Sequence, residues 1–320
     1  MCILFNGGIV MADLSFLQKE KLHTGFGEKI IDAKSYDDVL VQAGLNWTVS
    51  AHPVYTEVNG KQIEVPGSNI IVREADEKPL GIVSDKYKIV NNADAFAFTE
   101  SIYNSKEIEF IRGGSYRGGS STWLEAKITG KYSILGDDVE CYLIFMNSHD
   151  GTGSVKCMIV PERIACSNAL NIPLRDQSRH WRCVHSGDPM KKIDEARQIL
   201  LAGSSYMEAL NRECEVLQSI KISSSQVTQF INRLFPINDD MSDKQKENQE
   251  RRRKQLLAVY LDKADLFEFG STGYKFISAV ADYADHVEGR NTQNSNINRY
   301  MYIAHGSALV DQAYTMILMA

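Results

Sequence analysis

The sequence predicts an α+β fold, with a strand-rich antiparallel N-terminal half and a helical C-terminal half. Three observations carry this expectation. Residues 47–160 hold short apolar or alternating runs divided by turn residues. From Pro189 onward the apolar spacing changes to three or four residues. Between the two regimes, residues 142–186 form a seam rich in chemistry. Four of the six cysteines and three of the seven histidines lie between Cys141 and His185.

Taken in order, residues 1–34 read as a lead-in, within which Met11 resembles a second start and residues 1–10 a dispensable extension. Ser35 is a good N-cap for a short helix ending near Gly44. Trp47–Val58 is a strand, Asn59-Gly60 a type I′ hairpin signal, and Gln62–Val65 the return strand. Strands are expected at Asn69–Arg73, Leu80–Val83 and Tyr87–Val90, then a helix over Ala93–Tyr103. Ile108–Ile111 and Thr122–Ile128 read as strands around a glycine-rich loop, Arg112–Gly119. Ser133–Leu135, Glu140–Phe145 and Val155–Val160 complete the strand-rich half, and Ile164–Leu174 has room for a short helix. Beyond Pro189 the pattern gives a helix of about 30 residues, roughly 45 Å long. Helices capped near Ser223, over Asp243–Asp262, over Tyr274–Val287 and over Ala308–Met319 follow. No flexible linker divides the halves, so residues 35–186 and 187–320 are expected to form one continuous unit behind the lead-in 1–34.

Composition narrows the function classes. At 43% apolar and 24% charged the chain is ordinary globular material. It has no 18-residue apolar stretch, so no spanning helix is expected. Residues 2–10 lack a basic leader and a small-residue cleavage site, and no paired C-x-x-C occurs. Together these predict reduced thiols and a cytoplasmic protein. A net charge of −6 excludes a uniformly basic nucleic-acid binder but leaves room for a local basic face.

Each candidate site has a plain alternative. His149-Asp150-Gly151 has the residue types of a metal or acid/base pair. Ser148-His149-Asp150-Gly151 is equally good turn chemistry, since Asp closes an Asx turn and Gly supplies a positive φ, and the turn carries more weight. Cys157, Cys166 and Cys183 with His149 and His185 lack the local spacing of a zinc clip, so no metal or cofactor is expected. Cys166 as a nucleophile competes with the commoner buried, inert cysteine. The Arg112–Gly119 loop has no phosphate-loop signature. With Arg112, Tyr116 and Arg117 it suits either a plain hairpin or a mobile contact to a nucleic-acid backbone. Arg175, Arg179, His180, Arg182, Lys191 and Lys192 surround Trp181, a pattern able to track phosphates and stack a base. In a strand, alternation would instead bury Trp181 and solvate its neighbours. The run Glu250–Lys254 reads as a solvated helix face.

Several motifs together resemble the bacterial phage/plasmid-like protein family, a domain of unknown function. They are Asn147-Ser148-His149-Asp150-Gly151, Arg163-Ile164-Ala165-Cys166-Ser167-Asn168 and His185-Ser186. Leu80–Phe96, Gly114-Ser115 with Trp123, Tyr283-Ala284-Asp285-His286 and Gly306-Ser307 extend the resemblance over most of residues 40–315. The extra glycines of the 112–119 loop and the charged Asp243–Lys254 segment depart from the family pattern. The resemblance implies a mobile-element protein of a bacterial cytoplasm and gives Asn147, His149, Asp150, Gly151, Arg163, Cys166, Asn168 and His185 as family-motif residues. It implies no activity.

The expectation is a non-enzymatic, homo-oligomeric single-stranded nucleic-acid binding or annealing protein of phage recombination or replication. Its contacts would be Arg112, Tyr116, Arg117, Arg175, Arg179, Trp181, Arg182, Lys191 and Lys192. The first rival is an interaction protein that blocks a host defence or regulates phage replication through a host or phage protein. The second is a metal-dependent or cysteine hydrolase centred on His149 and Cys166.

Overall fold

A computed structural model describes residues 2–5, 8–11, 26–164, 169–174, 179–193, 203–287 and 306–319. Strands β1 (Cys2–Phe5) and β2 (Gly8–Met11) pair with each other, and β3 (Glu28–Lys29) leads to helix α1 (Tyr36–Gln42). Ser35 caps α1 by accepting from the Asp38 amide. A three-stranded antiparallel sheet follows, in the order β4 (Val49–Val58), β5 (Lys61–Arg73), β6 (Lys78–Ser84). Asn59 and Gly60 both take positive φ at its first turn, as the Asn-Gly pair requires. The two return strands expected at 62–65 and 69–73 are one long strand with a register slip opposite Pro53–Tyr55. The outer part of β4–β5 projects as a ribbon, exposed on both faces.

Residues 87–90, expected as strand, are irregular and lie against the main sheet instead. The helical stretch beyond them is broken into α2 (Asn92–Phe96), a 3-10 turn and α3 (Glu100–Asn104). Next come β7 (Ile108–Tyr116), β8 (Ser121–Ile128), β9 (Tyr132–Ile134), β10 (Asp137–Ser148), β11 (Val155–Arg163) and β12 (His180–Cys183). Among the described residues these form one antiparallel sheet in the order β12-β11-β10-β8-β7-β3, with β9 on the β10 edge. Residues 112–116 of the expected glycine loop are therefore strand, because β7 continues through Tyr116 opposite Ser121. Residues 169–174, where a short helix was expected, are not helical.

Both faces of this sheet are buried, which explains the near-continuous apolar runs of β10 and β11. One face carries Leu143, Phe145, Cys157 and Ile159 into the main core. The other gathers Trp123, Tyr142, Ile144, Met146, Met158 and Val160. The main core is continuous with the helical half: α4 (Gly203–Ser219), α5 (Ser224–Leu234), α6 (Asp243–Asp262), α7 (Gly273–Asp282) and α8 (Ala308–Leu318). Ser223 and Ser242 each head a capping box with the glutamine three residues on. Nearly every residue of α7 is buried, and α4, α6 and α8 all touch it. The charged run on α6 is not wholly solvated. Arg253 donates to the Phe235 carbonyl at 2.9 Å just beyond the end of α5, and Arg252 lies over the Phe235 ring. The antiparallel sheets in the N-terminal half and the helices in the C-terminal half make the chain an α+β protein.

Candidate functional site

Strand register sets the site. Tyr116 and Ser148 both lie beside Ser121, and Val155 lies beside Cys183. The β7–β8 connection, the β10–β11 turn and the exit from β12 therefore share one end of the sheet. Strand β6 runs across this end. It can approach because Gly81 has no side chain: a Cβ there would sit 2.5 Å from the Asp150 Cα.

The β10–β11 turn is closed by Asp150. Its carboxylate accepts from Ser148 Oγ at 2.7 Å, Thr152 N at 2.8 Å, Thr152 Oγ1 at 2.7 Å and Ser120 Oγ at 3.2 Å. Burial alone would raise its pKa, but these donors together hold it below the ordinary value. Asn147 donates to the Val90 carbonyl at 2.8 Å and accepts from the Ser148 amide. Fully buried His149 places Nε2 3.0 Å from Asn92 Oδ1, which also accepts from Thr122 Oγ1. Because Oδ1 accepts, this network assigns the proton to Nε2 and leaves Nδ1 as a bare, buried acceptor. Burial, reinforced by the charge of His185, lowers the His149 pKa from 6.5 to about 4.

His185 stacks on Tyr87 at 4.8 Å and donates from Nδ1 to the Lys88 carbonyl at 3.1 Å. Its Nε2 is also buried without a partner, and burial lowers its pKa. The Tyr87 hydroxyl donates to the Ser148 carbonyl at 2.8 Å. Trp47 is tilted against His149 at 5.2 Å and carries Arg73 at 5.2 Å. The histidines and Asp150 thus join β6 and the 87–92 segment to the sheet.

Arg163 lies at the opposite end of β11. It is fully buried, paired with Asp137, and 3.3 Å from Asp265 in the helical half. Its guanidinium lies 5.0 Å from the Phe269 ring centre. Asp285, on a π-helical turn over Tyr283–Val287, accepts from the Ala169 amide at 2.9 Å. The motif residues therefore occupy two separate joints. Cys166, Asn168 and Arg175 lie outside the described residues.

Several expected contacts are corrected. Arg112 is buried, donates to the Phe26 carbonyl at 3.3 Å and faces Glu125 at 3.5 Å. Arg179 is buried and donates to Asn171 Oδ1 at 2.7 Å. Trp181 is on the core face, 6.5 Å from Phe98, because strand alternation turns it inward. The two arginines offer no surface to a nucleic acid, and Trp181 is half-buried against the core. Cys157 and Cys183 are buried, as are Cys141 and Cys214; burial pushes the Cys141 thiol up to about 12 and the Cys157 thiol higher still. Among the described residues, no group of three or more His, Cys, Asp or Glu is placed to hold a metal ion.

Arg117, Arg182, Lys191 and Lys192 remain exposed, with Tyr116 half-buried. Sequence reasoning missed Arg73 and Lys78, which reach the β7–β8 loop from β5 and β6. A Cβ at Gly119 would lie 2.6 Å from Arg73 Nη1, and one at Gly118 would lie 3.4 Å from Lys78 Nζ. No local pattern signals a convergence of residues some forty positions apart. Arg182 lies on β12, four strand spacings from β7, or about 19 Å. Among the described residues no helix is long and apolar enough to cross a membrane.

Buried motif side chains acting as joints in an α+β framework define the class of protein. The chain belongs to the family described as Domain of unknown function (DUF932), whose model matches residues 79–303. The match begins within β6, so β4 and β5 lie before it. Neither the curated proteins nor the solved structures gave a match.

Proposed function

We propose that the protein is a non-enzymatic single-stranded nucleic-acid-binding protein of a phage or plasmid, acting in DNA recombination or replication in a bacterial cytoplasm. The observation that carries this reading is the β7–β8 loop. Arg117, Gly118 and Gly119 take positive φ in succession, at 52°, 70° and 101°. A left-handed arginine costs roughly 1–2 kcal/mol, and such strain concentrates where a loop serves a ligand. The loop presents Arg117 over the Tyr116 ring at 5.8 Å, with Lys78 alongside and with Arg73, which donates Nε and Nη2 to Asp76 and turns Nη1 toward Gly119. Cations on a backbone-exposing loop suit phosphates, and a tyrosine ring suits base stacking. The buried, neutral histidines and high-pKa cysteines favour a non-enzymatic reading.

Fluorescence anisotropy with a labelled single-stranded oligonucleotide tests it. Binding is expected at about 50 mM salt, with a log–log salt slope of about −2 if three cations meet phosphates. Arg117→Ala with Lys78→Ala should flatten that slope by about 1.4. Arg182→Ala, on the far sheet edge, should leave it unchanged. No binding at low salt, or a slope near zero, overturns the proposal.

A further inference from the structure

We infer that the β4–β5 ribbon is a self-association surface, through which β4 pairs antiparallel with β4 of a second copy of this chain. Strand β4 is one edge of its sheet; at the other edge, β6 packs its Gly81 face against the Asp150 turn. From Tyr55 to Val58 every residue of β4 is exposed, so among the described residues nothing covers it. An edge strand leaves a row of peptide N–H and C=O groups ready for another strand. A lone two-stranded ribbon is marginal in water and gains from a third strand. The ribbon also exposes apolar side chains: Tyr55 at 55%, Ile63 at 48% and Val58 at 47%.

The occupant is read from the pattern of the strand. Val54-Tyr55-Thr56-Glu57-Val58 is self-complementary about Thr56. A two-fold axis there sets Thr56 opposite Thr56, Val54 opposite Val58, and Tyr55 opposite Glu57 of the second copy. Thr–Thr and apolar pairs are favourable across strands, and no like charges meet. Each pair shares a face, so Val54, Thr56 and Val58 extend one apolar surface with Ile63, which lies opposite Thr56 on β5. Pro53, which donates no backbone hydrogen bond, falls opposite the Asn59 turn and ends the pairing. This is an isologous contact that closes as a dimer. Five residues per strand bury well under the ~1,200 Å² of a stable interface, so the dimer should exchange with monomer.

Sedimentation velocity on the full chain over a concentration series tests the proposal. The mass should rise from monomer toward dimer. Thr56→Lys sets two like charges against each other on the axis and should hold the chain monomeric. Tyr55→Lys places its amine opposite Glu57 of the second copy and should keep the dimer. In a Cys2→Ser, Cys166→Ser background, Thr56→Cys should be oxidised by added diamide, which takes up the two electrons and two protons, to a disulfide-linked dimer, because opposed residues lie ~4.5–5.5 Å apart. Ile63→Cys, one strand further in, should not. The inference is overturned if the wild type stays monomeric at every concentration. It is equally overturned if Thr56→Lys associates normally, or if Ile63→Cys cross-links as readily as Thr56→Cys. Should Thr56→Lys lose its native circular dichroism, the two cysteine variants decide.

Discussion

His149 binds its proton at about 4 in the folded chain, against 6.5 when unfolded. The unfolded chain therefore holds more protons between these values, and folding stability falls as pH drops through that window. Above pH 6.5 the contribution is complete; by about pH 4 it is gone. A shift of this size corresponds to about 3–4 kcal/mol at most. His149→Gln retains an amide donor toward Asn92 and removes the titration. Its urea midpoint should therefore change less between pH 7 and pH 4.5 than that of the wild type. A variant profile as steep as the parent's would show that other groups set the acid sensitivity. His185 titrates in the same direction, so His149→Gln should flatten the profile without abolishing it. The same side chain shows how chemistry is read from sequence. His-Asp beside a glycine has the residue types of a metal or acid/base site, yet the geometry spends Asp150 on its own turn and His149 on Asn92.

At the scale of elements, the approach of β6 to the sheet end depends on one missing side chain. Gly81→Ala drives a Cβ to 2.5 Å from the Asp150 Cα and 2.7 Å from its Cβ, with backbone on one side and a tightly held turn on the other. Neither can swing aside as a flexible side chain would. The substitution should cost about 1–3 kcal/mol by overpacking, measured by chemical denaturation. Retention of wild-type stability would mean that β6 rides loosely over the sheet end. Most elements were legible because their signals are local: the Ser35, Ser223 and Ser242 caps, the Asn-Gly turn, and the helical period beyond Ser223. The failures have physical causes. Residues 87–90 look like strand because Tyr87 and Val90 are apolar, but their backbone bonds to scattered points: the Ser84 carbonyl, the His185 carbonyl beyond β12 and the Asn147 side chain on β10. The 112–116 stretch looks like loop because of its glycines, but β8 supplies it with a full set of partners. Trp181 sits in a basic context, and only strand alternation decides that it faces inward. The meeting of Arg73, Lys78 and Arg117 is purely tertiary, and no window of sequence holds it.

Across the whole molecule, the strand-rich and helical halves share one core rather than two. Leu143 and Phe145 of β10 belong to the same buried cluster as Leu210, Tyr274 and Ile317 of the helices. Polar ties cross the same boundary: Arg163 to Asp265, the Ala169 amide to Asp285, and the Leu135 amide to Asn211. Separating the halves would expose the apolar face of β10 and β11 and leave Arg163 without its Asp265 partner. The chain should accordingly unfold as one unit, and its residue distribution supplies two independent reporters. All three tryptophans, Trp47, Trp123 and Trp181, lie in the strand-rich half. The longer helices, α4 to α8, all lie in the other. Tryptophan fluorescence and the far-ultraviolet helical signal therefore follow different halves, and in a urea titration their transitions should coincide. Residues 26–186 expressed alone should lack a cooperative transition and bind a hydrophobic dye, since the core face of the sheet would lie open. Two separated midpoints, or a fragment that unfolds cooperatively without dye binding, would instead divide the chain into independent domains.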